Sequence, residues 1–229
     1  MLFRSLTFIL LINALILFAA IIKFKARHLR LLGASQIIGI LAQGVLGGIT
    51  VLTGLNPATV ASHFLLSIVI IAAALSLRQR AHGITPSATQ LAPLTTLLGW
   101  IALALTAVVI VMGTVVTGSG PHAGDSTAAR FPLDAKTMSW IHADLVIALI
   151  GVTIALLIAV KLGESAATGI FWGRKVRIFF LVILAQGAIG YIQYFTGVPE
   201  ILVMAHLFGV VILWSALIRH GIRVRAFHR

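Results

Sequence analysis

Seven apolar runs, each long enough to cross a bilayer, recur along this chain and leave little of it for anything else. They fall at roughly residues 5–22, 32–53, 59–77, 95–117, 139–160, 177–196 and 202–218. A hydrocarbon layer about 30 Å thick takes about 20 residues of helix. Inside lipid the backbone finds no water, so such runs must close their hydrogen bonds within a helix. The expected fold class is therefore an all-α polytopic membrane protein with seven transmembrane helices. Composition agrees: 60% of residues are hydrophobic and 10% charged, far from the soluble average. The sequence has no cysteine, which excludes disulfides, thiol catalysis and iron–sulfur ligation within the chain.

The net charge of +12 reads as a topology signal. Fourteen of the 17 basic residues sit in alternate connections: Lys23, Lys25, Arg27 and Arg30; Arg78 and Arg80; Lys161, Arg174, Lys175 and Arg177; Arg219, Arg223, Arg225 and Arg229. Arg4, Arg130 and Lys136 fall on the other side, with Asp125, Asp134, Asp144 and Glu200 on or near it. Basic loops stay in the cytoplasm, so the expected placement is a bacterial-type cytoplasmic membrane, N-terminus outside and C-terminus cytoplasmic. The expected partner is the lipid bilayer, with no nucleic acid; self-association into a homo-oligomer is left open.

One stretch occurs twice. Residues 41–63, LAQGVLGGITVLTGLNPATVASH, and residues 184–206, LAQGAIGYIQYFTGVPEILVMAH, agree at 10 of 23 positions without a gap. Apolar identity means little between membrane helices, but a shared Gln (43/186), a Thr-Gly pair (53–54/196–197) and a terminal His (63/206) at one offset of 143 are harder to reach by chance. Repeats of this kind build two related halves, here residues 1–85 and 86–229. The same offset carries His142 to just before Met1. A further helix and histidine are thus expected ahead of this chain: a pseudo-symmetric pair of four-helix bundles lacking the first helix. Residues 1–4 do not begin a cleavable signal peptide of normal form.

Of the eight histidines, His28, His82, His220 and His228 lie among cytoplasmic basic residues and read as surface groups. His122, in the loop GSGPHAGD, reads as a loop residue rather than a ligand. His63, His142 and His206 differ: each falls a few residues inside a helix running inward, at one shared depth. A titratable group there is costly unless paired, coordinated or facing water. Taken singly, each fits an interfacial histidine bonded to backbone; three at equal depth favour ligation. Structural zinc wants Cys or carboxylate help, and the nearby Asp144, two residues from His142, points to another helix face. A proton relay wants buried carboxylates. Haem held between opposing imidazoles fits the set best. The neighbouring Gly44, Gly47, Gly48, Gly187 and Gly190 permit close approach, of a macrocycle or, more commonly, of another helix.

These residues also carry a likeness. The run MGTVVTGSGPHAGD (112–125) with His-Ala-Asp at 142–144, GGITVLTGLNP (47–57) and QGAIGYIQYFTGVP (186–199) resemble the haem A synthase family, from about residue 33 to 215. Residues 1–30 match more weakly, as that family's second helix. The resemblance implies eight helices in two four-helix halves. It implies that His142 and His206 are cofactor-binding and metal-ligating residues on the iron of a resident haem b. It implies that His63 is a catalytic residue facing the iron of the substrate haem. The implied reaction oxidises the C8 methyl of haem O, with a haem O synthase as the implied partner that delivers it, to a formyl group, giving haem A for terminal oxidases.

The chain departs from the family at its start. The first helix, a cysteine-bearing outer loop and a Glu and His opening the second helix have no match; MLFRSLT matches only the tail of that opening, with Arg4 at the family's arginine. The expectation is a complete C-terminal haem site, a half-built substrate site and little haem A from Met1 onward alone. Two other classes stand beside the enzyme. One is a non-catalytic bis-histidine haem protein that carries electrons. The other is a repeat-built transporter, against which the polar residues cluster at the outer helix ends rather than at midplane.

Overall fold

A computed structural model describes residues 2–83, 91–121 and 127–219. Among them are seven helices long and apolar enough to cross a membrane, so the chain is an integral, all-helical membrane protein. They are α1 (Leu2–Lys23), α2 (Arg30–Leu52), α3 (Pro57–Ala81), α4 (Pro93–Ser119), α5 (Ala135–Gly163), α6 (Ala166–Phe195) and α7 (Glu200–Arg219). At 20 to 30 residues they run about 30 to 45 Å. The chain forms two compact units: Met1–Thr85 with Ala128–Arg130, and Pro86–Thr127 with Phe131–Arg229. His122, His220 and His228 lie outside the described residues.

In the first unit α2 packs against both α1 and α3. α1 ends in a tight reversal at Lys25 (φ 54°), and a 3₁₀ turn at Arg27–Leu29 leads into α2. Buried Ile21, Leu29 and Leu77 pin this end. α3 starts where its sequence demands: Asn56 accepts a hydrogen bond from the Ala58 N–H at 3.0 Å, and Pro57 fills the first helical position. Asparagine supplies an acceptor to a free N–H there, and proline gives up none that is needed.

In the second unit successive helices pack on one another, and α7 also touches α4. α4 opens at Pro93, and the Ala92 N–H just before it donates to Glu164 Oε1 at 2.8 Å, tying the start of α4 to the end of α5. α5 starts at Asp134, whose carboxylate accepts from the Thr137 N–H at 2.7 Å and hydroxyl at 2.6 Å. The interior holds Ala102 and Val109 of α4, Leu149, Leu156 and Val160 of α5, Phe179 and Ile183 of α6, and Leu213 of α7. Thr106 and Thr153, wholly buried, return their hydroxyls to the carbonyls of Ala102 (2.6 Å) and Leu149 (2.7 Å). Neither hydroxyl is thereby left bare in a dry interior.

The sequence repeat reappears in the backbone. α2 ends at Leu52 and α6 at Phe195, α3 begins at Pro57 and α7 at Glu200, each pair 143 apart. Between them Gly54 (φ 62°) and Leu55 (φ 59°) match Gly197 (φ 79°) and Val198 (φ 61°). The Leu55 N–H reaches back to the Thr50 carbonyl at 2.9 Å, and the Val198 N–H to that of Gln193 at 2.8 Å. Thr53 and Thr196 each return a hydroxyl to the carbonyl four residues back, at 2.8 and 2.7 Å. This is a glycine-capped helix end in which the last carbonyls are met within the turn. Glycine enters the left-handed region freely, whereas Leu55 and Val198 do so at a cost.

One boundary differs from expectation. The apolar run opening at 177 belongs to a helix that starts at Ala166, eleven residues earlier. Hydropathy locates the apolar part, whereas the helix runs on through Arg174, Lys175 and Arg177, which are good helix formers.

Candidate functional site

Each of the three histidines singled out by sequence lies about two turns into its helix. His63 is six residues past Pro57, His142 seven past Ala135, and His206 six past Glu200. All three are half-buried. In all three, Nδ1 is buried without a hydrogen-bond partner. A buried ring nitrogen left unpaired costs free energy, and the same atom is left so three times. By contrast His28 and His82 are exposed, His82 at the end of α3.

A glycine on the preceding helix lies beneath each ring. A β-carbon at Gly47 on α2 would stand 3.6 Å from His63 Cε1, one at Gly113 on α4 would stand 3.3 Å from His142 Cε1, and one at Gly190 on α6 would stand 3.4 Å from His206 Cε1. At Gly47 and Gly190 the helix-on-helix contact is thus made by an imidazole of the next helix. At Gly44, Gly48 and Gly187 a β-carbon would meet nothing within 4 Å.

The repeated glutamines brace the histidine helices. Gln43 Nε2 donates to the His63 carbonyl at 3.0 Å and to Ser67 Oγ at 2.6 Å, and the Ser67 hydroxyl donates to the same carbonyl at 3.0 Å. α2 is thus fastened to α3 at the turn that carries His63. Its repeat mate Gln186 meets valine, Val210, where Ser67 would be. There the amide lies in the notch at Gly209 on α7, one turn past His206.

His142 and His206 belong to the same unit. They sit on α5 and α7, which do not pack directly, and each ring lies against a glycine of the preceding helix, on α4 and α6. Two half-buried imidazoles thus stand on helices that are not neighbours, each with a bare, buried Nδ1. Asp144 is exposed. Among the described residues no group of three or more His, Cys, Asp or Glu could hold a metal ion, so an ion here would draw on two protein ligands. Sequence reasoning missed Gly113, Ser67 and Gly209. Gly113 lay within the quoted loop run, but nothing in its spacing marked it as the seat of a ring.

The chain matches no protein-family model, and no curated protein or solved structure matches it significantly.

Proposed function

We propose that the chain is a haem A synthase, holding haem b between His142 and His206 and oxidising haem O beside His63. The observation that carries this reading is the pair of imidazoles on non-adjacent helices, each over a glycine and each with an unpartnered buried Nδ1. The donor set fits the group. Imidazole is a common haem-iron ligand, so His142 and His206 would hold the group, and apolar surroundings would suit the macrocycle. When bound, haem b supplies one-electron redox chemistry.

What the protein's own residues do follows from their placement. His142 and His206 would supply a ring nitrogen each to the haem iron, while Gly113 and Gly190 leave room for the rings to sit. His63 stands on a turn fastened to α2 by the Gln43–Ser67 brace, and a group that orients a substrate needs such a fixed base. Converting methyl to formyl takes up one water and releases four protons and four electrons. Two related halves, one around each site, are supported by the recurrence of helix ends and turn geometry at one offset. The basic connections support a cytoplasmic C-terminus.

A second reading is a bis-histidine haem protein that carries electrons without oxidising haem O. It is favoured by the first unit, where the other histidines among the described residues, His28 and His82, are exposed rather than half-buried like His63. One experiment separates the two. The chain is expressed from its native gene in cells supplied with haem O, and the haems are extracted and separated. Haem A at a low level with the native chain and none with His63→Ala is the outcome expected of the enzyme. Haem b retained with no haem A in either case would overturn it in favour of the carrier.

A further inference from the structure

A groove on α6 lies away from His63, His142 and His206. It holds about 420 Å³ along one face of α6 and is lined by Ala167, Ile170, Phe171, Arg174, Lys175 and Ile178. These residues recur at three- and four-residue spacing, a single helical stripe, beside the face that buries Trp172, Val176 and Phe179. The stripe mixes two chemistries. Ile170 is 73% exposed and Phe171 53%, and between them and Ile178 stand the guanidinium of Arg174 and the ammonium of Lys175. The Lys175 Nζ lies 3.9 Å from the centre of the Phe171 ring and 4.7 Å from that of Trp172, so its charge is held against the groove wall rather than free in solvent.

Depth follows from the aromatic residues on the same helix. Tyr191, Tyr194 and Phe195 pack together at one end of α6, and Phe171 and Trp172 pack edge to face near the other. Aromatic clusters of this kind mark the two membrane interfaces. Trp172 and Tyr191 are 19 residues apart, about 28 Å of helix, close to the thickness of a hydrocarbon core. Arg174 and Lys175 stand two and three residues inside Trp172, about 3–5 Å of helix. Their side chains, tilted toward the helix N-terminus, reach back to the level of the lipid phosphates. This end of the unit also carries Lys161 and Arg177, and its acid, Glu164, is engaged by the Ala92 N–H.

We propose that this groove is a binding site for an anionic phospholipid, its phosphate between Arg174 and Lys175 and its apolar portion along the isoleucines and Phe171. An inorganic anion would leave the apolar wall unused. A zwitterionic lipid would bring its own cation against Arg174 and Lys175. Arg177 is one turn along but directs its Nε back to the Gly173 carbonyl at 3.3 Å and does not line the groove, which makes it the matched control.

The test is native mass spectrometry of the purified full chain titrated with phosphatidylglycerol or with phosphatidylcholine of the same acyl chains. The expected result is preferential retention of phosphatidylglycerol, weakened about fivefold by Arg174→Gln and unchanged by Arg177→Gln. Arg174→Gln decides the matter even where Lys175→Gln, which removes two ring contacts, disturbs folding. Equal retention of the two lipids would overturn the proposal. So would an Arg177→Gln loss as large as that of Arg174→Gln, which would indicate a diffuse charge effect. Displacement of phosphatidylglycerol by millimolar inorganic phosphate would also overturn it, marking a bare-anion site instead.

Discussion

Gly190 of α6 lies directly beneath the imidazole of His206 on α7, with a β-carbon at 190 falling 3.4 Å from the ring's Cε1. The relationship recurs at Gly47 and His63, 143 residues earlier, and again at Gly113 and His142. A glycine set under a ring does two things: it lets two helices close on a flat side chain, and it fixes the height of the ring.

The glycine series should grade with distance. At Gly113 a methyl group would crowd the ring at 3.3 Å, and at Gly47 it would rest in ordinary contact at 3.6 Å. Gly113→Ala should therefore lower haem content and Gly113→Leu abolish it, since overpacking typically costs about 1–3 kcal/mol. Gly47→Ala should leave haem b content unchanged. Haem-to-protein ratios of the purified variants check this, and equal losses at all positions would show that the rings are not what the glycines accommodate.

Gln43→Leu removes two hydrogen bonds that join α2 to the His63 turn while keeping the side chain's size. The expected loss is about 1 kcal/mol, read by reversible unfolding in mixed micelles. Ser67→Ala removes one acceptor of the same brace and should cost less. Gln43→Leu with full stability would show that the amide contributes no net fastening.

How much of this was legible in the sequence differs by level. The helices were legible, because a bilayer forces apolar length and closed backbone bonds together. The histidines were legible through depth and repeat. The ring seats were not. Whether Gly47 faces another helix or an imidazole is decided by how two helices rotate about their axes, and an apolar helix facing lipid has no polar side to reveal that rotation. The start of α6 was hidden for a related reason. Arg174 and Lys175 end the apolar run but not the helix, since charged side chains remain helical once they reach the headgroups.

The two outer turns should respond alike. Gly54→Ala and Gly197→Ala place a β-carbon in the left-handed region and should each cost about 1 kcal/mol. Val198→Gly relieves a β-branched residue at φ 61° and should be neutral or stabilising, whereas Val→Gly in an ordinary segment destabilises. Thermal denaturation of the three variants is the measurement, and a clear loss with Val198→Gly would argue against the left-handed turn.

The start of α5 carries a pH dependence. Hydrogen bonds from the Thr137 hydroxyl and N–H, with Lys136 nearby, hold the Asp134 carboxylate below its ordinary range. A lowered folded-state pKa means the cap is fully present above the unfolded value, near 3.8, and is lost as pH falls through the still lower folded value. Amide exchange at Lys136–Met138 should therefore quicken only below about pH 4, and Asp134→Ala should show the quickened rate at neutral pH. Rates independent of pH and of the substitution would remove the cap from the account.

The central claim is that His142 and His206 together hold haem, and the reduced-minus-oxidised absorbance spectrum of the purified protein tests it most directly. The wild type and His63→Ala should show the bands of a low-spin haem b. His142→Ala and His206→Ala should each lose them while the polypeptide remains in the membrane fraction. Wild-type spectra from both His142→Ala and His206→Ala would contradict the claim.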